Sequence, residues 1–504
     1  MYSLASVLDQ HAQRRPGKTV LVQEDRRITA GELRDRVGAL ARGLLGAGVG
    51  PGDVVGVLLY NHVEFLELLF AVNRIGAVIL PLNYRLAPAE WEYILGNAEA
   101  VAIVTESEFA PAVGGLALDR LRTRIILDGP AEGWTPYASL LETGGPAPDP
   151  VDVPEDGLQR LMYTSGTTSR PKGVRISHGN VLYKNLGQII HLGLTHEDVT
   201  LVCGPLYHVG ALDLPALATW HAGGSLVLVR KFDAGEVLAA MQRERPTNVW
   251  LAPAMMNAVL EHPALAETDT SSVRFIIGGG EKMPEAIVRR IAEGFPGTWF
   301  ADAYGLTETV SGDTFLDREH ALTKIGSVGR PLPHLRVRVV DESGADVAPG
   351  ELGEIALRGP KVFRGYWRDE EATKRAIRDG WFHTGDVGRL DADGFLYIED
   401  RKKDMIISGG ENIATPEVER VLYEHPAVLE AAVVGLPHER WGEVPHAFVV
   451  ARPGTTVTAE EIREFCRARL AKFKVPARVD LIAELPRTPS GKVLKRVLRD
   501  GTTG

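Results

Sequence analysis

Cysteine is almost absent: Cys203 and Cys466 are the only two in 504 residues. They lie far apart, and neither belongs to a CxxC pair or a Cys/His ligand spacing. Neither a disulfide framework nor a zinc site is therefore implied, and a reduced, cytoplasmic setting is expected. No run of about 18 apolar residues occurs, the length a membrane span needs. The N-terminal stretch reaches Gln13-Arg14-Arg15-Pro16 without an apolar signal core, so export is not expected either. A basic excess is missing too. The 56 Lys and Arg against 66 Asp and Glu give a formal net charge of -10, which argues against nucleic acid as a partner. None of the 14 histidines forms HExxH, and no GxSxG occurs, so metalloprotease and serine-hydrolase chemistry have no support. Internal repeats and low-complexity tracts are also absent.

What is present is a large apolar complement, 44% of residues, enough for a sizeable core divided among several domains or subdomains. Short β-branched runs alternate with segments of helical period. Val54 to Leu59, the helix-like Val63 to Val72, Ala77 to Leu80, the helical Ala89 to Leu95 and then Ala100 to Val104 form one such series. Strands bracketing helices of this length predict βαβ units and parallel sheets. After about Lys324 the style changes: Arg336 to Val340 and Gly353 to Leu357 are separated by Asp341-Glu342-Ser343-Gly344 and Pro349-Gly350, which suits antiparallel β structure. Five charges, Asp400-Arg401-Lys402-Lys403-Asp404, fall between the strand-like Gly394 to Ile398 and Met405-Ile406-Ile407 and mark the best linker. The fold class is thus α/β. A large N-terminal domain, residues 1–400, combines parallel βαβ layers with a distorted antiparallel part. A small mobile α/β C-terminal domain, residues 401–504, follows a hinge near 401–404. That last piece carries 17 basic against 14 acidic residues, a balance that suits either an anionic substrate or a plain solvated surface.

The strongest local signal is Tyr163-Thr164-Ser165-Gly166-Thr167-Thr168-Ser169-Arg170-Pro171-Lys172-Gly173. Hydroxyls, glycines and one lysine on a loop after Leu161-Met162 supply what a polyphosphate needs: open backbone N–H groups, hydroxyl donors and a mobile cation. Gly166 and Lys172 have the Walker separation, but Pro171 precedes the lysine and Gly173 follows it, which disfavours a kinase or motor ATPase. Downstream, Asp302-Ala303-Tyr304-Gly305-Leu306-Thr307-Glu308-Thr309 joins an aromatic face, a hydroxyl and a carboxylate just past Trp299-Phe300. Tyr304 can stack on a base while Glu308 holds a hard cation against phosphate oxygens. Trp381-Phe382-His383-Thr384-Gly385-Asp386 offers a carboxylate on a tight turn suited to a ribose diol, although a Gly-Asp turn is usually only a turn.

These strings, the Asp400-Arg401 linker and the terminal Pro489-Ser490-Gly491-Lys492 occur in the order and approximate spacing of the adenylate-forming superfamily, which the chain resembles from near residue 10 to near 500. That group includes acyl-CoA synthetases, nonribosomal peptide adenylation domains and luciferases. Gly350 to Glu354, Gly365-Tyr366-Trp367, Ile406 to Asn412 and Arg440 to Glu443 resemble its CoA-ligase branch. The resemblance implies an AMP-forming carboxylic acid:CoA ligase that uses ATP, Mg2+ and CoA. By the same resemblance, Thr164, Ser165, Gly166, Thr167, Thr168 and Lys172 cradle the β- and γ-phosphates. Thr307 and Glu308 serve the α-phosphate and Mg2+. Adenine lies between the Gly278-Gly279-Gly280 stretch and the Asp302, Ala303, Tyr304 and Gly305 string, and Asp386 and Arg401 bind the ribose. Lys492 bridges carboxylate and α-phosphate, His208 stands beside the acyl carboxylate unless it is a structural loop histidine, and Lys403 is the hinge. Gly409 and Gly410 line the path of the pantetheine arm. The partners implied are a small carboxylic acid, ATP and CoA, with room for a homodimer. The runner-up passes the acyl group to a carrier-protein thiol or a nitrogen nucleophile.

Three departures bear on these roles. Ser169 stands where the family loop usually has Gly. Gly280-Glu281-Lys282-Met283-Pro284 puts charges near the expected acyl-pocket wall, where they face solvent or else favour a polar acid. Ala414-Thr415-Pro416 replaces the Tyr-Pro-Ala frequent in CoA ligases, beside the expected tunnel.

Overall fold

The βαβ reading of the N-terminal third holds element by element in the computed structural model, with boundaries within one or two residues. It describes residues 3–142, 144–164, 171–280, 283–401, 404–408, 411–487 and 493–501, without the side chains of Glu411 and Asn412. The strand Val54–Leu58 lies between the parallel strands Val78–Pro81 and Ala100–Thr105, and the helices Val63–Arg74 and Pro88–Asn97 make the crossovers. All twelve residues of Val63–Arg74 are buried, because that helix fills the space between this sheet and a second one. Its Glu67 is ionically paired inside that layer: Arg36 Nε and Nη2 donate to it at 2.5 and 3.1 Å, and the Tyr137 hydroxyl donates at 2.7 Å. A buried charge needs such partners to be tolerated.

Adding Thr123–Ile126, Thr135–Pro136, Leu158–Thr164 and Lys172–Ser177 gives a seven-stranded sheet. The second sheet has nine strands. Its parallel centre runs Trp299–Tyr304, Phe275–Gly278, Asn248–Leu251, Val199–Val202, Ser225–Leu228 and Thr19–Gln23. The third sheet is antiparallel, built on Arg336–Val340, Gly353–Arg358, Trp381–Leu390 and Leu396–Arg401, in line with the change of style after Lys324. The fourth draws its strands from Ile406 onward. Its centre is the long antiparallel pair Val428–His438 and Gly442–Ala451. No helix among the described residues is long and apolar enough to cross a membrane.

Two expectations of local structure are corrected. Thr384-Gly385-Asp386 is not a turn but a bulge inside the strand Trp381–Leu390: Glu354 pairs with Val387 and Ala356 with His383, leaving three residues opposite Ile355. Gly385 takes φ +75°, the conformation that a bulge, like a turn, draws from glycine. The charged linker also begins later than expected. Asp400 and Arg401 are the last rungs of the strand Leu396–Arg401, with Arg401 paired to Asp386 and Asp400 to Val387. Asp400 is buried because Thr415, in the first turn of the helix Thr415–Tyr423, donates to it through both its amide and its hydroxyl at 2.8 Å.

Candidate functional site

The carboxyl ends of the parallel strands in the nine-stranded sheet lie along one edge, the side on which open α/β sheets bind ligands. Trp299–Tyr304 delivers Asp302, Ala303 and Tyr304 there, and Phe275–Gly278 delivers Gly279 and Gly280 beside it. A Cβ added at Gly279 would stand 3.1 Å from the Ala303 carbonyl, so the two strand ends approach as closely as glycine permits.

Tyr304 does more than present a ring. Its hydroxyl donates to Asp386 Oδ2 at 2.6 Å, while Arg401 Nε lies 3.2 Å from Asp386 Oδ1. The bulge aims Asp386 at this meeting point. Thr384 Oγ1 donates to the Ile355 carbonyl at 2.9 Å and accepts from the Asp386 amide at 3.1 Å, and the Gly385 amide donates to Glu354 at 3.2 Å. Burial and the adjacent Asp386 carboxylate both push the Tyr304 phenol well above its ordinary pKa, so it remains a neutral donor.

Glu308 sits on the single 3₁₀ turn Thr307–Thr309. The Tyr366 hydroxyl donates to its Oε1 at 2.8 Å, and the Phe363 amide donates to its main-chain carbonyl at 2.7 Å. Burial raises the Glu308 carboxyl, against the lowering by the Tyr366 hydroxyl. The backbone just beyond is strained: Val310 and Ser311 take φ +57° and +60°, which a β-branched residue rarely adopts. That conformation is held from below by a buried lysine. Lys361 Nζ donates to the Ser311 and Gly312 carbonyls at 2.9 and 2.6 Å and pairs with Asp313 Oδ1 at 2.8 Å, and Asp313 Oδ2 accepts from Thr309 at 2.5 Å. The carboxylate is therefore presented on a rigid support.

Thr164 and Lys172 are cross-strand partners at the end of the antiparallel pair Leu158–Thr164 and Lys172–Ser177, so these two residues of the phosphate-loop string lie side by side. The Lys172 ammonium lies 5.2 Å from the centre of the Tyr366 ring, which brings it to the side chain that holds Glu308. His208 caps the short helix Val209–Asp213, with Nδ1 accepting from the Gly210 amide at 3.0 Å, and its ring stacks on Trp250 at 5.9 Å.

The structure thus assembles Tyr304, Glu308, Asp386, Arg401 and Lys172, with Asp302, Ala303, Gly305, Thr307, Gly279 and Gly280 on the same strand ends and turns. Ser165, Gly166, Thr167, Thr168, Lys403, Gly409, Gly410 and Lys492 lie outside the described residues, as do Ser169, Glu281 and Lys282. Two residues that touch these side chains escaped sequence reasoning. Tyr366 stood only in a branch-resemblance string, although an aromatic hydroxyl after Gly365 was a signal. Trp250 reads from sequence as an ordinary strand core residue. Among the described residues no group of three or more His, Cys, Asp or Glu side chains could cage a metal. A cation here would share one protein carboxylate, Glu308, with the ligand's own oxygens.

Comparison with known proteins agrees with this geometry. The AMP-binding enzyme family matches residues 8–367, and the AMP-binding enzyme C-terminal domain matches residues 417–492. The chain is 41% identical over 488 residues to feruloyl-CoA synthase of Amycolatopsis sp, covering 97% of this chain and 96% of that one. It is 39% identical to indoleacetate–CoA ligase of Aromatoleum aromaticum, covering 98% and 97%. The crystal structure of the anthranilate CoA ligase AuaEII in complex with anthranoyl-AMP superposes with a TM-score of 0.91 at 28% identity, covering 99% of this chain and 97% of that one. The chain therefore belongs to the AMP-binding enzyme family, in the acyl-CoA synthetase branch of the adenylate-forming superfamily.

Proposed function

We propose that this ATP-dependent, AMP-forming acid:CoA ligase activates aromatic carboxylic acids. The observation that carries the aromatic class is the indole of Trp250, which packs against Gly210 and Gly204 and stacks on His208, the histidine expected beside the acyl carboxylate. A Cβ at Gly210 would fall 2.5 Å from the ring and one at Gly204 2.7 Å, so both positions are kept small to seat the indole. A flat aromatic wall rewards a planar substrate. Related ligases named for ferulate, indoleacetate and anthranilate support the same class.

The reaction has two steps. In the first, a carboxylate oxygen attacks the α-phosphorus of ATP, the bond to the β-phosphate oxygen breaks, and pyrophosphate leaves. In the second, the CoA thiol loses its proton and its sulfur attacks the acyl carbon, expelling AMP. The Thr164 to Lys172 string binds the β- and γ-phosphates, Asp386 and Arg401 the ribose diol, and Gly279-Gly280 with Tyr304 the adenine. Glu308 and Thr307 would hold Mg2+. One half-buried carboxylate with a hydroxyl fits an ion that takes few protein ligands and shares phosphate oxygens, and when bound the ion would offset charge on the transferring group. Lys492 stabilises the first displacement, with His208 near the carboxylate. The piece after the 400/401 boundary rotates about Lys403 between steps and opens the Gly409-Gly410 path to the thiol.

Pyrophosphate release with an acid panel tests the substrate class. Aryl acids are expected to show kcat/KM at least about tenfold above straight-chain acids of equal carbon number, the scale of a well-matched pocket. Equal rates for the alkyl acids would remove the aromatic reading, and AMP formation without thioester when CoA is added would remove CoA as acceptor. For the ribose site, Asp386→Ala leaves a buried phenol and the Arg401 guanidinium without their acceptor. The KM for ATP is expected to rise about 10- to 100-fold while the KM for the acid moves little. Parallel changes in both would contradict the assignment.

A further inference from the structure

The indole nitrogen of Trp250 is a buried donor with no hydrogen-bond partner among the described residues, although the side chain is only 6% exposed. Buried N–H groups are nearly always satisfied, and one left without a partner costs stability. Trp220 Nε1 is also unpartnered among the described residues, but that ring packs on His11 and Phe70, none of them among the candidate site residues. Trp250 differs in its surroundings. Its strand, Asn248–Leu251, alternates so that Val249 and Leu251 join one core cluster while Trp250, on the opposite face, joins the other. Its nitrogen points to the Gly279-Gly280 turn: a Cβ built on Gly279 would lie 3.7 Å from Nε1, and Gly280 takes φ +97°. Neither glycine has a side chain that could satisfy the donor.

We infer that Trp250 is a specificity-determining residue whose Nε1–H donates to an oxygen acceptor carried on the acyl body of the acid. The inference rests on the aromatic reading above and adds chemistry to it: the ring face selects planarity, and the N–H selects an acid bearing a carbonyl, ether or hydroxyl oxygen remote from its carboxylate. An acid without that oxygen leaves the donor desolvated and unpaired in the complex, which is how a polar site rejects an isostere.

The test uses the full-length enzyme with matched phenylpropenoic acids, the 2-, 3- and 4-methoxy compounds against the corresponding ethyl compounds. Each pair exchanges one ether oxygen for a methylene. For wild type, kcat/KM is expected to favour the methoxy acid by at least about tenfold at one ring position, the scale of one hydrogen bond to a buried donor. In Trp250→Phe, which keeps an aromatic wall and removes the donor, that ratio should fall to about one. A wild type that treats every pair alike overturns the assignment whether or not the variant folds. A folded Trp250→Phe enzyme, judged by its thermal midpoint, that retains the wild-type ratio overturns it too. Absence of turnover with every aryl acid alongside turnover of alkyl acids overturns the aromatic reading and the Trp250 role together. Turnover of aryl acids without discrimination overturns the Trp250 role alone.

Discussion

Glu308→Gln is expected to lower the rate of carboxylate-dependent ATP–pyrophosphate exchange by about 10²- to 10³-fold, the usual loss when one preorganised electrostatic contact is removed. The substitution keeps the shape of the side chain and an oxygen for the Tyr366 hydroxyl, so the 3₁₀ turn and its Lys361 anchor stay in place. What disappears is the negative charge, and the Mg2+ concentration for half-maximal rate should rise with it. The pH dependence gives an independent readout. Because burial raises this carboxyl, a proton competes for it at a higher pH than at an ordinary glutamate. The wild-type Mg2+ requirement should therefore increase as pH falls, whereas the Gln variant should lack that dependence. Tyr366→Phe removes a contact that favours the ionised form, so the acid limb should move to higher pH. An unchanged Mg2+ requirement in Glu308→Gln would place the metal elsewhere.

The second large effect separates the two half-reactions. Lys492→Ala should lose adenylation by at least about 10²-fold, because no other cation is assigned to bridge carboxylate and α-phosphate. The same protein, supplied with preformed acyl-adenylate, should still transfer the acyl group to CoA. Lys403→Pro should do the reverse, exchanging pyrophosphate normally while failing to make thioester, since proline fixes a backbone angle that the rotation must change. Stopped-flow or quenched-flow measurement of each half-reaction decides it. Near-normal exchange in Lys492→Ala, or equal loss of both steps in Lys403→Pro, would sink the respective role.

Legibility in the sequence followed the range of the interactions involved. The βαβ layers were readable because runs such as Val54–Leu58 and Ala100–Thr105 are buried on both faces and carry no polar interruption. The bulge at Thr384-Gly385-Asp386 was not, since a turn and a bulge ask the same positive φ of Gly385 and only the pairing with Glu354 and Ala356 distinguishes them. Asp400 reads from the sequence as the first charge of a linker. Its burial depends on donors from Thr415, fifteen residues on. The contacts of Glu308 with Tyr366 and of Tyr304 with Asp386 span 58 and 82 positions, beyond any local pattern. Tryptophan in a strand ordinarily means core, and nothing short of the three-dimensional neighbourhood exposes the unpartnered nitrogen of Trp250.

The rung that joins Asp386 to Arg401 is the final one of its strand, and the proposed pivot begins two positions later. A nucleotide gripped there would act as a splint on the fulcrum, keeping torsion from travelling back into the sheet and confining it to the residues beyond Arg401. The swivel would thus be an event of the loaded enzyme, with AMP serving as the pin about which the lid turns until the thioester is made.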